Sequence, residues 1–147
     1  MNFTTQVVIE LPREYVIELV SDPGNLPEWQ PGIKSVELID GQRNTVGARS
    51  RVVFDFRGVR LEMLETITAY APPDMFAARY EARGVRNLVE NRFFADSPAR
   101  TRWVLSNNFS FSGMMSFVSP FVRDSVPQQN RDAMQRFKAF AERSWAS

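Results

Sequence analysis

From Ile33 to Phe111 the chain keeps one rhythm. Apolar side chains recur at every second position, in six runs separated by short turn-forming segments. Period-two alternation marks a strand with one dry face and one wet face. In "ARSRVVFDF", Ala48, Ser50, Val52, Phe54 and Phe56 share one face, and Arg49, Arg51, Asp55 and Arg57 share the other. The breaks "DGQRNTVG", "RG" at 57–58, "APPD", "RG" at 83–84 and "DSPA" are short and rich in turn residues. Strands joined this way form an antiparallel meander.

The flanks follow other rules. Asn2–Leu11 ends in a β-branched run and reads as a first strand. Pro12 suits the first position of a helix, and Tyr15, Val16, Leu19 and Val20 then share one face. Asp22 can cap the short turn that follows, and Pro23 cannot continue the helix before it. In the last third, Val122, Val126, Ala133, Met134, Phe137, Phe140 and Ala141 form an apolar stripe near period 3.6. This long helix starts at Ser119-Pro120 or a turn earlier at Ser116, and Pro127 predicts a kink or a break into two helices. The sum is an α+β chain read as one domain over residues 1–147. Its seven-stranded antiparallel sheet is curved around a long C-terminal helix, with two short helices between strands one and two. A curved sheet on a single helix leaves space near the helix ends.

Composition narrows the chemistry. The 147 residues carry a net charge of +1, which gives no field toward nucleic acid or an anionic membrane. There is no Cys, hence no disulfide and no thiol nucleophile, and no His, which removes the commonest general base and metal ligand. No apolar run approaches the ~18 residues of a membrane-spanning helix, and "MNFTTQVVIELPRE" does not read as a signal peptide. The expectation is a cytoplasmic protein without cofactor or metal, without a nucleic-acid partner or stable membrane insertion, and monomeric or weakly dimeric. The compositional excess is aromatic, with twelve Phe, three Trp and three Tyr.

One segment stands apart. "SDPGNLPEWQPGIKSVEL" places Trp29 in a loop of prolines and glycines that runs straight into the second strand. Asp22-Pro23, Leu26, Trp29, Pro31-Gly32 and Val36 in this loop, with "ETITAYAPP" at 65–73 as a second match, resemble the START-like helix-grip superfamily (SRPBCC). Within it the chain is most similar to the polyketide cyclase/dehydrase and lipid-transport group. The resemblance implies a helix-grip fold with a hydrophobic ligand held between sheet and C-terminal helix, and Trp29 closing one end of that space. Some proteins of the group are cyclases or dehydratases and others are carriers.

Alternation assigns the inward face: Val52, Phe54 and Phe56; Leu61, Met63, Glu65 and Ile67; Phe76, Ala78 and Tyr80; Asn87, Val89, Asn91 and Phe93; Trp103, Leu105, Asn107 and Phe109. A bulge would flip any strand beyond it. Most of these side chains serve either as core or as the wall of a cavity. The candidate ligand contacts are Trp29, Phe54, Phe56, Met63, Asn91, Trp103, Asn107, Phe109, Phe117 and Phe121. The candidate proton-transfer groups are Glu65 and Tyr80, since a carboxyl raised by burial can act as acid or base without His. Glu65 alternatively lies near the open end of the sheet, paired with an exposed Arg. The expected function is binding of a lipid, quinone or polyketide-like molecule. The alternatives are a cyclase or dehydratase working in the same cavity and a protein–protein adaptor using the same groove.

Overall fold

The alternating runs pair into one seven-stranded sheet, in which the first two strands of the sequence lie at opposite edges. A computed structural model of the chain describes residues 1–56 and 58–147, the side chain of Phe56 excepted. Arg57, part of an expected tight turn, lies outside the described residues. The strands are β1 (Asn2–Ile9), β2 (Ile33–Asp40), β3 (Arg49–Phe56), β4 (Val59–Ala71), β5 (Met75–Ala82), β6 (Val85–Ser97) and β7 (Arg100–Phe111). They lie in the order β1-β7-β6-β5-β4-β3-β2, and every pairing is antiparallel. Register shifts in β2, β4 and β6 mark bulges, which sharpen local twist and help the sheet curl.

The long connection from β1 to β2 carries α1 (Arg13–Ser21), a 3-10 turn (Pro23–Asn25) and α2 (Leu26–Trp29). Strand β1 stops short of Leu11, whose N–H turns back onto the Ile9 carbonyl at 2.9 Å, and Pro12 caps α1 from outside the helix. Asp22 accepts the Gly24 N–H at 2.9 Å, and the Asn25 amide donates to the Leu19 carbonyl at 3.1 Å. These local bonds fix a path that its prolines forbid from continuing as helix. The Asp55 N–H donates to the Gly32 carbonyl at 2.7 Å, which ties the end of the loop to β3.

Residues Gly113–Val118 form a second 3-10 turn, and α3 (Ser119–Ala146) follows as one helix with Pro127 inside it. Of the kink or break into two helices expected at Pro127, the break does not occur. Val122 and Val126 before the proline continue in line with Ala133 and Phe137 after it, so one unbroken helix keeps the whole stripe facing inward.

The core occupies one end of the space that α3 spans. Phe137, Met134, Ala133 and Ala141 of α3 pack with Val7 and Ile9 of β1, Val16 and Ile17 of α1, Trp29 of α2, Phe93 of β6 and Trp103 of β7. Ring centroids lie 5.2 Å apart for Trp103–Phe137, 5.4 Å for Trp29–Phe137 and 5.6 Å for Trp29–Trp103, all edge-on. No residue of α3 before Ala133 is fully buried.

Candidate functional site

The first half of α3 spans a cavity of about 900 Å³ between itself and the sheet. The sequence explains the gap. Where the second half carries Phe137, the first carries the shorter Val122 and Val126, which do not reach a curved sheet. The facing wall comes from the inward residues of β3 to β7, among them Phe54, Leu61, Met63, Val85, Leu105 and Phe109. Trp29 and Trp103 border the end next to the core, and Met115 and Val118 of the second 3-10 turn border the other.

A polar belt crosses the apolar sheet wall. Ser50 of β3 pairs with Glu65 of β4, Glu65 with Tyr80 of β5, and Tyr80 with Asn87 of β6. All four line the cavity. The Tyr80 hydroxyl donates to Glu65 Oε2 at 2.7 Å. Burial pushes the Glu65 carboxyl above the ordinary carboxylate range, with the Tyr80 bond pulling the other way. Burial pushes the Tyr80 hydroxyl well up, and the Glu65 charge and the shared bond push it further. Both shifts run toward the protonated form, in a wall that is otherwise mostly hydrocarbon.

Next to the belt, the Asn87 amide donates to Asn107 Oδ1 at 3.1 Å. Further toward the core, Trp103 Nε1 donates to Asn91 Oδ1 at 2.9 Å. Asn91 and Asn107 are each only 6% exposed.

The inward assignment by alternation holds in β3 to β7 at the described positions named above, while bulges change the parity in β2 between Ile33 and Ser35 and in β4 beyond Ile67. Glu65, Tyr80, Trp29, Phe54, Met63, Asn91, Trp103, Asn107, Phe109 and Phe121 all border one cavity. For Phe56 the side chain lies outside the described residues. Phe117 is a correction: it is not on the wall and is 85% exposed. The segment is a 3-10 turn with about three residues per turn, so Met115 and Val118 share the inner face while Met114 and Phe117 share the outer one. An α-helical reading of the same residues misplaces them. Among the described residues Glu65 pairs with no exposed Arg, and its partner is the Tyr80 hydroxyl. The arginines of β5 to β7 meet acids on the outer face instead, as in Arg79–Glu81 at 2.7 Å and Arg102–Asp96 at 3.5 Å.

Ser21, Met115 and Asn130 also border the cavity without having been singled out. For Asn130 the signal was present, since it stands four residues after Val126 and three before Ala133 on the helix stripe. Its polarity masked it. Met115 was hidden by the 3-10 geometry, and Ser21 by its place at the end of a short helix.

Comparison with known proteins adds the family. The model of the family described as polyketide cyclase/dehydrase and lipid transport matches residues 1–142. The chain belongs to that family. Solved structures with the same fold include the Zhui aromatase/cyclase from Streptomyces sp. R1128, with a TM-score of 0.83, 18% identity and coverage of 97% of this chain and 94% of that one. A START superfamily protein from Mycobacterium smegmatis gives 0.80 at 12% identity, with 97% of each chain covered. The protein TTHA0849 from Thermus thermophilus gives 0.80 at 16% identity, with 98% and 99% covered. At these identities the likeness is one of fold, the helix-grip arrangement of the START-like superfamily. Among curated proteins no sequence matches it. Among the described residues no helix is long and apolar enough to cross a membrane.

Proposed function

We propose that this member of the family binds a small hydrophobic molecule, of lipid, quinone or polyketide-like chemistry, in the cavity between the sheet and α3. The observation that carries the reading is the cavity itself. About 900 Å³ is lined by a mainly apolar surface with polar groups at fixed places, within the ~300–1,000 Å³ typical of small-molecule sites. A domain that needed only stability would close such a space, since a void forfeits the contacts its lining side chains would otherwise make. The reading also takes the protein to act in the cytoplasm as a monomer or weak homodimer. Native mass spectrometry with solvent extraction of the purified protein, followed by titration with a fluorescent fatty probe, tests it. A co-purifying small molecule or a saturable probe site is the expected result. A protein that carries no molecule and takes up no probe would defeat the reading.

A second reading rests on a separate observation, the 2.7 Å bond between Tyr80 and Glu65 inside that cavity. Two groups that both favour protonation can pass a proton to and from a bound carbonyl compound, as a cyclase or dehydratase requires. Glu65 would serve as acid and base, Tyr80 would donate to a carbonyl or phenolate oxygen, and Asn91 or Asn107 would orient the carbonyl. The likeness in fold to an aromatase/cyclase supports testing it. Turnover of a poly-β-keto substrate analogue, lost in both Glu65→Gln and Tyr80→Phe, is the expected result. Unchanged turnover in both variants removes these residues from catalysis.

A further inference from the structure

Met114 and Phe117 are the most exposed large apolar side chains among the described residues, each at 85%. They stand three residues apart in a turn of about three residues per turn, so one lies above the other on its outer side. Their neighbours hold them there. Met115 and Val118 border the cavity, and Met115 fits so closely over Gly84 that a Cβ on that glycine would lie 2.6 Å from Met115 Cγ. The Ser112 N–H also donates to the Gly84 carbonyl at 2.9 Å. With the inner pair anchored, the outer pair cannot fold back into the core. Single apolar side chains on a surface are ordinary, but a pair held outward by its own scaffold is a contact surface.

The turn stands at a definite end of the molecule. Antiparallel pairing brings the end of β7, the β5–β6 turn, the tip of the β3–β4 hairpin and the start of β2 to that same end. The cavity meets solvent there. Leu61 and Phe121 border it and are still 46% and 42% exposed, and Val59, next outward on β4, is 57% exposed. An apolar rim therefore runs from the outer face of the turn to the cavity.

Charge selects the partner. The chain's net charge of +1 hides an asymmetry, because Lys34, Arg60, Arg83, Arg86 and Arg123 are all exposed at this end. The acids beside them are engaged: Asp124 pairs with Arg123 at 3.3 Å, and Asp55 accepts the Gly58 N–H at 3.2 Å. Glu62 and Glu81, further along their strands, pair with Arg51 and Arg79. This end is cationic, and the rest of the chain is net negative. A convex apolar tip among cations matches a layer of anionic headgroups that can part around it. Apolar insertion and cationic attraction are each weak alone and add when they act at one place.

We propose that this end docks reversibly on an anionic lipid bilayer, with Met114 and Phe117 entering the boundary between headgroups and acyl chains and the cations meeting phosphates. The rim of the cavity then faces hydrocarbon, which gives an apolar ligand a path that avoids water. That consequence rests on the hydrophobic-ligand reading, whereas the docking itself does not.

The test is flotation of the full chain with vesicles of phosphatidylcholine alone or with about 30% phosphatidylglycerol. The wild type should float with the anionic vesicles only, and its affinity should fall roughly tenfold in about 0.5 M NaCl. Met114→Ser and Phe117→Ser should each weaken binding roughly tenfold. Arg83→Glu should weaken it roughly twenty-fivefold, at about fivefold for each of two charges. Thermal unfolding should be the same in all three variants, since these side chains are exposed. The chain has no Cys, so Ser116→Cys gives a single site for an environment-sensitive dye. Its emission should move to the blue on anionic vesicles, and the same dye on Ser147→Cys, at the far end of α3, should not respond. No binding to anionic vesicles, or binding that the three variants leave unchanged, overturns the proposal. If the wild type sediments as a dimer that Phe117→Ser converts to a monomer, the turn belongs to a second copy and the proposal fails. None of these outcomes alters dye uptake by the cavity, so failure here is distinct from failure of the hydrophobic-ligand reading.

Discussion

The two halves of α3 face the same sheet and do opposite things. From Ala133 onward the helix presses Met134 and Phe137 into a sealed cluster with Trp103 and Phe93, all four at most 2% exposed. Before Ala133 it holds Val122 and Val126 over open space. The difference lies less in hydrophobicity than in reach. Large rings from α2, β6, β7 and α3 meet edge-on or stacked at the first end, whereas at the second the partners fall short of one another. One end supplies stability, which leaves the other free to stay hollow.

The contrast predicts unequal costs. Phe137→Ala, at the centre of the sealed end, should lose about 3–5 kcal/mol, measured by guanidinium unfolding. A loss under ~1 kcal/mol would break the comparison. Gly84→Ala tests how the hollow end is held. Gly84 has φ +79°, and a Cβ there would lie 2.6 Å from Met115 Cγ and 3.0 Å from the Ser112 carbonyl. Added to the Ser112 N–H bond to the Gly84 carbonyl at 2.9 Å, this close fit locks the second 3-10 turn onto the β5–β6 turn. The substitution should cost roughly 1–3 kcal/mol in urea. Met63→Ala, on the cavity wall, should cost only about 1 kcal/mol, below the ~2–5 usual for a buried methionine, because one side of Met63 already lacks neighbours.

Glu65 sharpens the comparison through pH. Its folded carboxyl holds the proton more tightly than the ordinary value of 4.5, chiefly because it is buried. The contribution is therefore fully present below about pH 4.5 and is lost as pH rises through the higher folded value. Glu65→Gln should remove that dependence, and its stability relative to wild type should improve as pH rises from 4.5 in parallel melts. A gap that stays constant with pH would show that Glu65 ionises in the cavity as it does in water. Phe117→Ser should have the smallest effect, within ~0.5 kcal/mol, since the ring is 85% exposed.

Much of the fold was legible because two periods are legible. Alternation put Glu65, Tyr80, Asn91 and Asn107 on the inner face, and the bulge between Ile67 and Ala69 only moved the next inward place to Tyr70. The 3.6-residue stripe gave α3 and its facing. What period cannot show is distance between layers. Phe54 and Phe93 occupy equivalent alternating positions in their strands, yet Phe93 is sealed at 2% exposure and Phe54 looks into the cavity. Nor can spacing reveal that Asn107 spends its carbonyl on Asn87 and keeps its NH2 unpaired, because that depends on β6–β7 register. Phe117 was misplaced for a local reason, a three-residue turn read as helix.

The most direct test of the hollow end is stoichiometric. Nile red titrated against the wild-type protein and against Ala82→Trp, which places an indole inside the cavity wall, separates interior from surface binding. One saturable dye per wild-type chain, lost in a folded Ala82→Trp protein, is the predicted result. Equal binding by the two proteins, or uptake that never saturates, would contradict a ligand site between the sheet and α3.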